Sequence, residues 1–155
     1  MEDAKNIETV MKDNENVAIC VTCTNLEPPG PQILFVSDAF CEITGYSRED
    51  LLGKTPRILQ GEKTDKNTLN RMKISLKNDD FFEGNIINYK KNGEEYTMVW
   101  NISPMPTKQN SPSKKYISIQ REISNKNNEN IIEELEKIKL LNNKILSNIN
   151  SYLKN

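Results

Sequence analysis

The sequence predicts an α+β fold: a five-stranded antiparallel sheet with short helices on one face, plus an N-terminal helix and a long C-terminal helix. Three observations carry this. Runs rich in β-branched and aromatic residues occur twice early in the chain and three times late. Capped stretches with helical spacing lie between those two groups. The final segment, residues 125–155, carries an apolar stripe with a heptad period.

Residues 3–13 read as a short amphipathic helix with Ile7, Val10 and Met11 on one side. The run “VAICVTCT” (17–24) is a strand, “NLEPPGPQ” (25–32) a proline- and glycine-rich loop, and “ILFVS” (33–37) a second strand, so the pair reads as a hairpin. “SDAFCEITGY” follows as a short helix with Ser37 as its N-cap and Gly45 at its end. In “SREDLLG”, Ser47 and Asp50 have capping-box spacing ahead of Leu51 and Leu52. Residues 65–77, “DKNTLNRMKISLK”, form a clearer helix with Thr68, Leu69, Met72 and Leu76 near one face. “FFEGNIINYKKNGEEYTMVWNISPM” holds two strands around a turn at Lys91, Asn92 and Gly93. A polar loop at 107–115 leads to the last strand, “YISIQREI” (116–123).

Composition narrows the function. Acidic and basic side chains nearly cancel, leaving a formal charge of -1 over 155 residues, so no nucleic-acid partner is expected. No apolar run approaches the ~20 residues of a membrane helix. The polar, acidic start is unlike a signal peptide, and a cytoplasmic protein is expected. There is no histidine. That removes Ser-His-Asp and Cys-His catalysis, histidine-ligated haem and histidine phosphorylation, and argues against most hydrolase mechanisms. Cys20, Cys23 and Cys41 make no disulfide framework. Cys20 and Cys23 have CxxC spacing, but no second pair follows and strand alternation places the two thiols on opposite faces. No metal site is expected.

The block “ILFVSDAFCEITGYSREDLLGKTPRILQG”, with “NYKKNGEEY” and “YISIQREI”, resembles a PAS domain over roughly residues 17–124. More narrowly it resembles the flavin-binding light-oxygen-voltage (LOV) branch. The resemblance implies the PAS fold and a flavin, FMN or else FAD, between helices and sheet. Ligand-free PAS domains share “PRILQ”, so no cofactor is the alternative. LOV domains carry an Asn-Cys-Arg-Phe-Leu-Gln run in the flavin-contacting helix, matched here by Thr55, Pro56, Arg57, Ile58, Leu59 and Gln60. By this resemblance Arg57 grips the flavin phosphate and Gln60 contacts the flavin side chain. Lys73 stands where the family has a second phosphate-binding arginine and keeps the charge without the bidentate fork. The family reads the ring edge with two asparagines and a glutamine. Asn88 keeps the first, Met98 replaces the second, and Gln120 keeps the glutamine, whose hydrogen bonding in the family follows the state of the flavin N5. The amide missing at Met98 leaves an edge atom without its donor, at a cost of about 1–3 kcal/mol.

Pro56 stands in place of the family's adduct-forming cysteine and offers no nucleophile. Cys20, Thr22 and Thr24 share one face of the first strand. Counted back from “FVSDAF”, they fall on positions that face the flavin in the family, which makes Cys20 the candidate for an alternative adduct. The other reading of Cys20 is a small buried apolar residue, and a one-residue slip would turn Cys23 inward instead. Tyr89, Tyr96 and Trp100 are candidate electron donors or ordinary sheet packing.

In residues 125–155, Leu135, Asn142 and Ile149 fall at heptad position a, and Ile131, Ile138, Ile145 and Tyr152 at d. A single asparagine at a fixes register and a two-stranded state. Ile132, Leu146 and Leu153 at e and Leu141 at g widen the stripe, as a four-helix dimer would use. The expected partner is therefore a second copy of the chain, with folding back onto its own sheet as the alternative. “NNKILSNINSYLKN” also resembles the first helix of a histidine-kinase dimerisation domain, with Ser151 where the phosphorylated histidine would stand. The expected organisation is a cap helix at 1–16, a sensor domain at 17–124 and a signalling helix at 125–155. The expected function is a sensory module that binds a flavin and relays light or redox state to the C-terminal helix. The alternative is a ligand-free dimerisation or protein-interaction module.

Overall fold

The computed structural model describes residues 2–108 and 115–154, with side chains from residue 8 onward. The elements are α1 (Glu2–Asp13), β1 (Ala18–Cys23), β2 (Ile33–Val36), α2 (Asp38–Thr44), α3 (Arg48–Leu51), a 3-10 helix (Pro56–Leu59), α4 (Lys66–Lys77), β3 (Phe82–Tyr89), β4 (Glu95–Pro104), β5 (Lys115–Ile123) and α5 (Asn128–Leu153). Most of the polar loop expected at 107–115, and the side chain of Ile7, lie outside the described residues.

The strands form one antiparallel sheet in the order β2-β1-β5-β4-β3. The early hairpin and the late hairpin each need a neighbour, and β5 supplies it for both. It pairs with β1 on one side and β4 on the other.

Local signals set the helices between the hairpins. Ser37 Oγ accepts from the backbone N–H of Phe40 as the α2 cap. The same oxygen accepts from Ile19 N at 2.8 Å and donates to Val17 O at 2.6 Å, so the cap is also tied to the start of β1. Gly45 closes α2 with φ 76°, a left-handed conformation that favours glycine. Ser47 and Asp50 form the expected capping box on α3. Asp65 caps α4 by accepting from Asn67 N at 3.1 Å.

Strand alternation gives the sheet two different faces. One carries Cys20, Asn88, Met98, Trp100 and Gln120 and is covered by α2, α3, the 3-10 helix and α4. The other carries Ile19, Val21, Val99, Ile117 and Ile119, and is covered by Val10 and Met11 of α1 and by Ile138, Ile145 and Ile149 of α5. The heptad stripe of α5 thus packs on its own sheet, the alternative placement of the two expected. Asn142, expected to set the register of a helix pair, is buried here, and its Nδ2 donates to Asn101 Oδ1 (3.1 Å) and Ser103 Oγ (3.3 Å) of β4. Glu134, also buried, pairs with Arg121 of β5 at 2.9 Å.

Candidate functional site

A cavity of about 560 Å³ lies between the sheet and the helices that cover its first face. That is within the roughly 300–1,000 Å³ of small-molecule and cofactor sites. Its wall includes Cys20, Thr22, Thr55, Arg57, Gln60, Lys73, Asn88, Met98 and Gln120. The structure therefore brings together nine of the residues singled out from the sequence, from six separate elements and the two residues that flank the 3-10 helix. Thr24 is not on the wall. β1 ends at Cys23, and its ladder with β2 shifts register between Val21 and Thr22, so the count back across the loop does not hold to residue 24.

The stretch “GKTPRILQG” owes its shape to proline and glycine. Pro56 is the first residue of the 3-10 helix, where its fixed φ fits and its missing N–H leaves nothing unpaired. With three residues per turn, Arg57 and Gln60 fall on the same side, and both reach the cavity. Gly61 follows directly under Tyr89. A Cβ at position 61 would lie 2.4 Å from the tyrosine ring, closer than any side chain tolerates.

α4 supplies a second wall in two ridges. Leu69, Met72 and Leu76 form the apolar one and Lys66, Asn70 and Lys73 the polar one, and all six line the cavity. Lys66 and Lys73 are seven residues apart, roughly 10 Å along the axis. Among the described residues, none of Arg57, Lys66 and Lys73 pairs with a carboxylate. The sequence reading missed Lys66 and Asn70, although their i, i+4, i+7 spacing with Lys73 places them on one helix face. It also missed the contribution of the β1–β2 loop, where Leu26, Pro29 and Pro31 complete the wall.

The polar groups on the sheet are under-used. Thr22 Oγ1 and Gln120 Nε2 are buried without a hydrogen-bond partner. Each such group costs about 1–3 kcal/mol, a cost that a bound molecule or ordered water would relieve. Asn88 Nδ2 donates to the Met98 thioether, at 3.5 Å. Burial pushes the Cys20 thiol up to about 12, so it is protonated at neutral pH. Cys23 leaves the opposite face of the strand, where its sulfur accepts from Gln32 N at 3.2 Å. Trp100 lies on the wall with its ring 5.3 Å from that of Phe82.

These residues fit a flavin. The walls of the cavity are apolar on both sides, two side-chain amides stand on the sheet, and three cations without carboxylate partners suit a phosphate. Arg57, Lys66 and Lys73 would hold the phosphate, and Asn88 and Gln120 the polar ring edge. The departure is Met98, which has no N–H to give.

Comparison with known proteins agrees with this geometry. A family model for the PAS domain matches residues 7–125. Phototropin-2 of Oryza sativa is 35% identical over 77 residues, 50% of this chain and 8% of that protein. A blue-light-activated histidine kinase of Brucella anthropi is 34% identical over 101 residues, 65% of this chain and 20% of the kinase. The chain thus spans only a small part of the length of these relatives. Among solved structures, the LOV domain of a blue-light-activated histidine kinase from Erythrobacter litoralis superposes with a TM-score of 0.63 and 27% identity, covering 70% of this chain and 97% of that domain. The fold is that of a LOV-like sensory module, a non-catalytic one, with a helix appended at its C-terminal end. The chain belongs to the PAS domain family, and it is homologous to the LOV domains of phototropins and blue-light-activated histidine kinases.

Proposed function

We propose that this domain binds a flavin, FMN or FAD, and relays its light or redox state to α5, which presents that state to a second copy of the chain. The observation that carries the reading is the cavity itself. It is large enough for a cofactor, has unpaired buried amide and hydroxyl groups on one wall, and has unpaired cations on the other.

Within this reading Cys20 takes over the bond that residue 56 cannot make. It is the cysteine on the wall. Because burial keeps the thiol protonated, Cys20 would bring both the sulfur and the proton of an addition to a bound flavin ring, so no outside oxidant or reductant would be needed.

The route to α5 is short. Gln120 on the cavity face is followed in β5 by Arg121 on the other face, which pairs with Glu134 of α5. Gln120 is also the cross-strand partner of Trp100, whose neighbour Asn101 holds Asn142 of α5. These two polar links between α5 and the sheet therefore each lie one residue from the cavity wall. Ile132 and Leu140 of α5, 61% and 69% exposed, remain outside the docked stripe and are available to a second copy.

The test is the visible spectrum of the purified chain, in the dark and under blue light, before and after mixing with FMN, FAD or riboflavin. The expected result is a flavin band, uptake of phosphorylated flavin in preference to riboflavin, and reversible bleaching that Cys20→Ala abolishes. A chain that takes up no flavin under any of these conditions overturns the reading and leaves a ligand-free interaction module. Bleaching that persists unchanged in Cys20→Ala removes only the role of the cysteine.

A further inference from the structure

Tyr96 lies on β4, two residues before Met98 and on the same face of the sheet. Its side chain is 4% exposed, and its hydroxyl makes no hydrogen bond of good geometry. Directly across the ladder stands Asn88. The phenol is pushed up to about 12 by burial, with the neighbouring amides of Asn88 and Gln120 pulling it partly back, so it stays neutral at ordinary pH. Lys90 closes the outer side. Its Nζ stands 5.6 Å from the ring centroid and pairs with Glu122 at 3.1 Å.

Gln120 Nε2 is buried and unpaired, and Asn88 spends its amide on a thioether. The corner that lost an amide at Met98 has thus gained a hydroxyl beside the two amides that remain.

We infer that Tyr96 is a positioning residue for the ligand of the cavity, its hydroxyl orienting the side-chain amides of Asn88 and Gln120 and so making up for the amide absent at Met98. This rests on the flavin reading above. The chemistry follows from the hydroxyl's dual character, since it both donates and accepts. When Gln120 turns its carbonyl oxygen to an N–H of the ligand, its NH2 donates to Tyr96 Oη. When it turns its NH2 to an unprotonated ligand nitrogen, its carbonyl accepts from the Tyr96 O–H. Both ends of the amide are satisfied either way, so the amide can follow the protonation state of the ligand. Phenylalanine at 96 leaves one end of Gln120 unpaired in both orientations.

The test is Tyr96→Phe in the full chain, with FMN as the probe. The ligand-free variant is expected to melt no lower than the parent, because it has lost a buried hydroxyl that had no partner. FMN affinity is expected to fall about tenfold, and the side-chain amide signals of Gln120 in the FMN complex are expected to move in the NMR spectrum. Adding Met98→Asn to Tyr96→Phe should recover part of the affinity. An unchanged affinity in Tyr96→Phe overturns the inference. So does a ligand-free melting temperature that falls with the affinity while the Gln120 signals stay in place, which is the behaviour of a purely structural hydroxyl. A parent chain that takes up no FMN is a separate result, and it overturns the flavin reading and this inference together.

Discussion

Replacing Asn142 tests where α5 sits in solution. The side chain is 4% exposed and lies in the apolar layer between Ile138 and Ile145. Its amide gives hydrogen bonds of 3.1 Å to Asn101 and 3.3 Å to Ser103, while its own oxygen is buried without a partner. A neutral hydrogen bond contributes about 0.5–1.5 kcal/mol net, and a buried acceptor left alone costs about 1–3 kcal/mol. Asn142→Ala strips two acceptors of their donor and removes one orphan, so it should destabilise the protein by about 2 kcal/mol. Ile138, Ile145 and Ile149 are fully buried and contribute about 1.5–3 kcal/mol each, so the helix stays docked in the variant and the folded state remains measurable.

The decisive quantity is the coupling between Asn142 and Asn101. A double-mutant cycle of Asn142→Ala and Asn101→Ala isolates the 3.1 Å bond and should return about 1 kcal/mol. Urea unfolding of the four proteins measures it. Trp100, the single tryptophan, reports on the sheet, and far-ultraviolet circular dichroism reports on α5. Coupling below roughly 0.3 kcal/mol, the usual scatter for independent sites, refutes docking through this contact. Sedimentation of the same four proteins separates the other placement. An asparagine at the seam of a helix pair limits its stability, so Asn142→Ala would then strengthen association instead of weakening the monomer.

Two further predictions concern the cavity wall and its support. Cys20 is raised from 9.0 to about 12 and Tyr96 from 10.0 to about 12, so between those values the unfolded chain binds fewer protons than the native one. Stability should be full below about pH 9 and fall as pH rises towards 12, with a shallower fall in Cys20→Ala. A urea midpoint that stays level across that range refutes the burial of both groups. Gly61→Ala drives a Cβ into the Tyr89 ring and should cost about 1–3 kcal/mol, read as a drop of several degrees in melting temperature. Adding Tyr89→Leu should recover most of it, and a loss indifferent to residue 89 would place the strain elsewhere.

The features legible in the sequence are those fixed by neighbours a few residues apart. Ser37, Gly45 and the Ser47–Asp50 box were readable because a cap and its partner are at most four residues apart. Cys20 and Thr22 were readable because alternation, a local property of a strand, puts them on one face and the family resemblance implies that this face meets the cavity. Thr24 was not, because a register shift within the ladder is decided by the partner strand and not by the strand itself. The central place of β5 carries no local signal, and no strand order was expected from the sequence. Lys66 and Asn70 were visible as a helix face, but a face does not say which cavity it meets. Tyr96 was visible as an aromatic, but its unpaired hydroxyl exists only once burial removes it from water. The stripe of α5 is the instructive case. Its period specified an apolar partner, and a sheet face of isoleucine and valine satisfies that demand as well as another helix does.

Magnitudes also limit what a signal at Gln120 can do to α5. Taking a two-state equilibrium from 1:99 to 99:1 needs about 5.5 kcal/mol of differential interaction. One changed neutral hydrogen bond at Gln120 provides about 1 kcal/mol, or roughly a fivefold shift. The Arg121–Glu134 pair is half exposed on the arginine side and adds at most about 1 kcal/mol, and the Asn101–Asn142 bond adds a similar amount. All three changing together reach about 3 kcal/mol, a shift on the order of a hundredfold. A change confined to Gln120 would therefore leave most copies with α5 still docked. Full release would require β4 and β5 to move together, so that Arg121 of β5 and Asn101 and Ser103 of β4 let go of α5 in the same step. The backbone makes that concerted step available, because Gln120 pairs across the ladder with Trp100, and Arg121 and Asn101 are the residues that follow each of them in sequence.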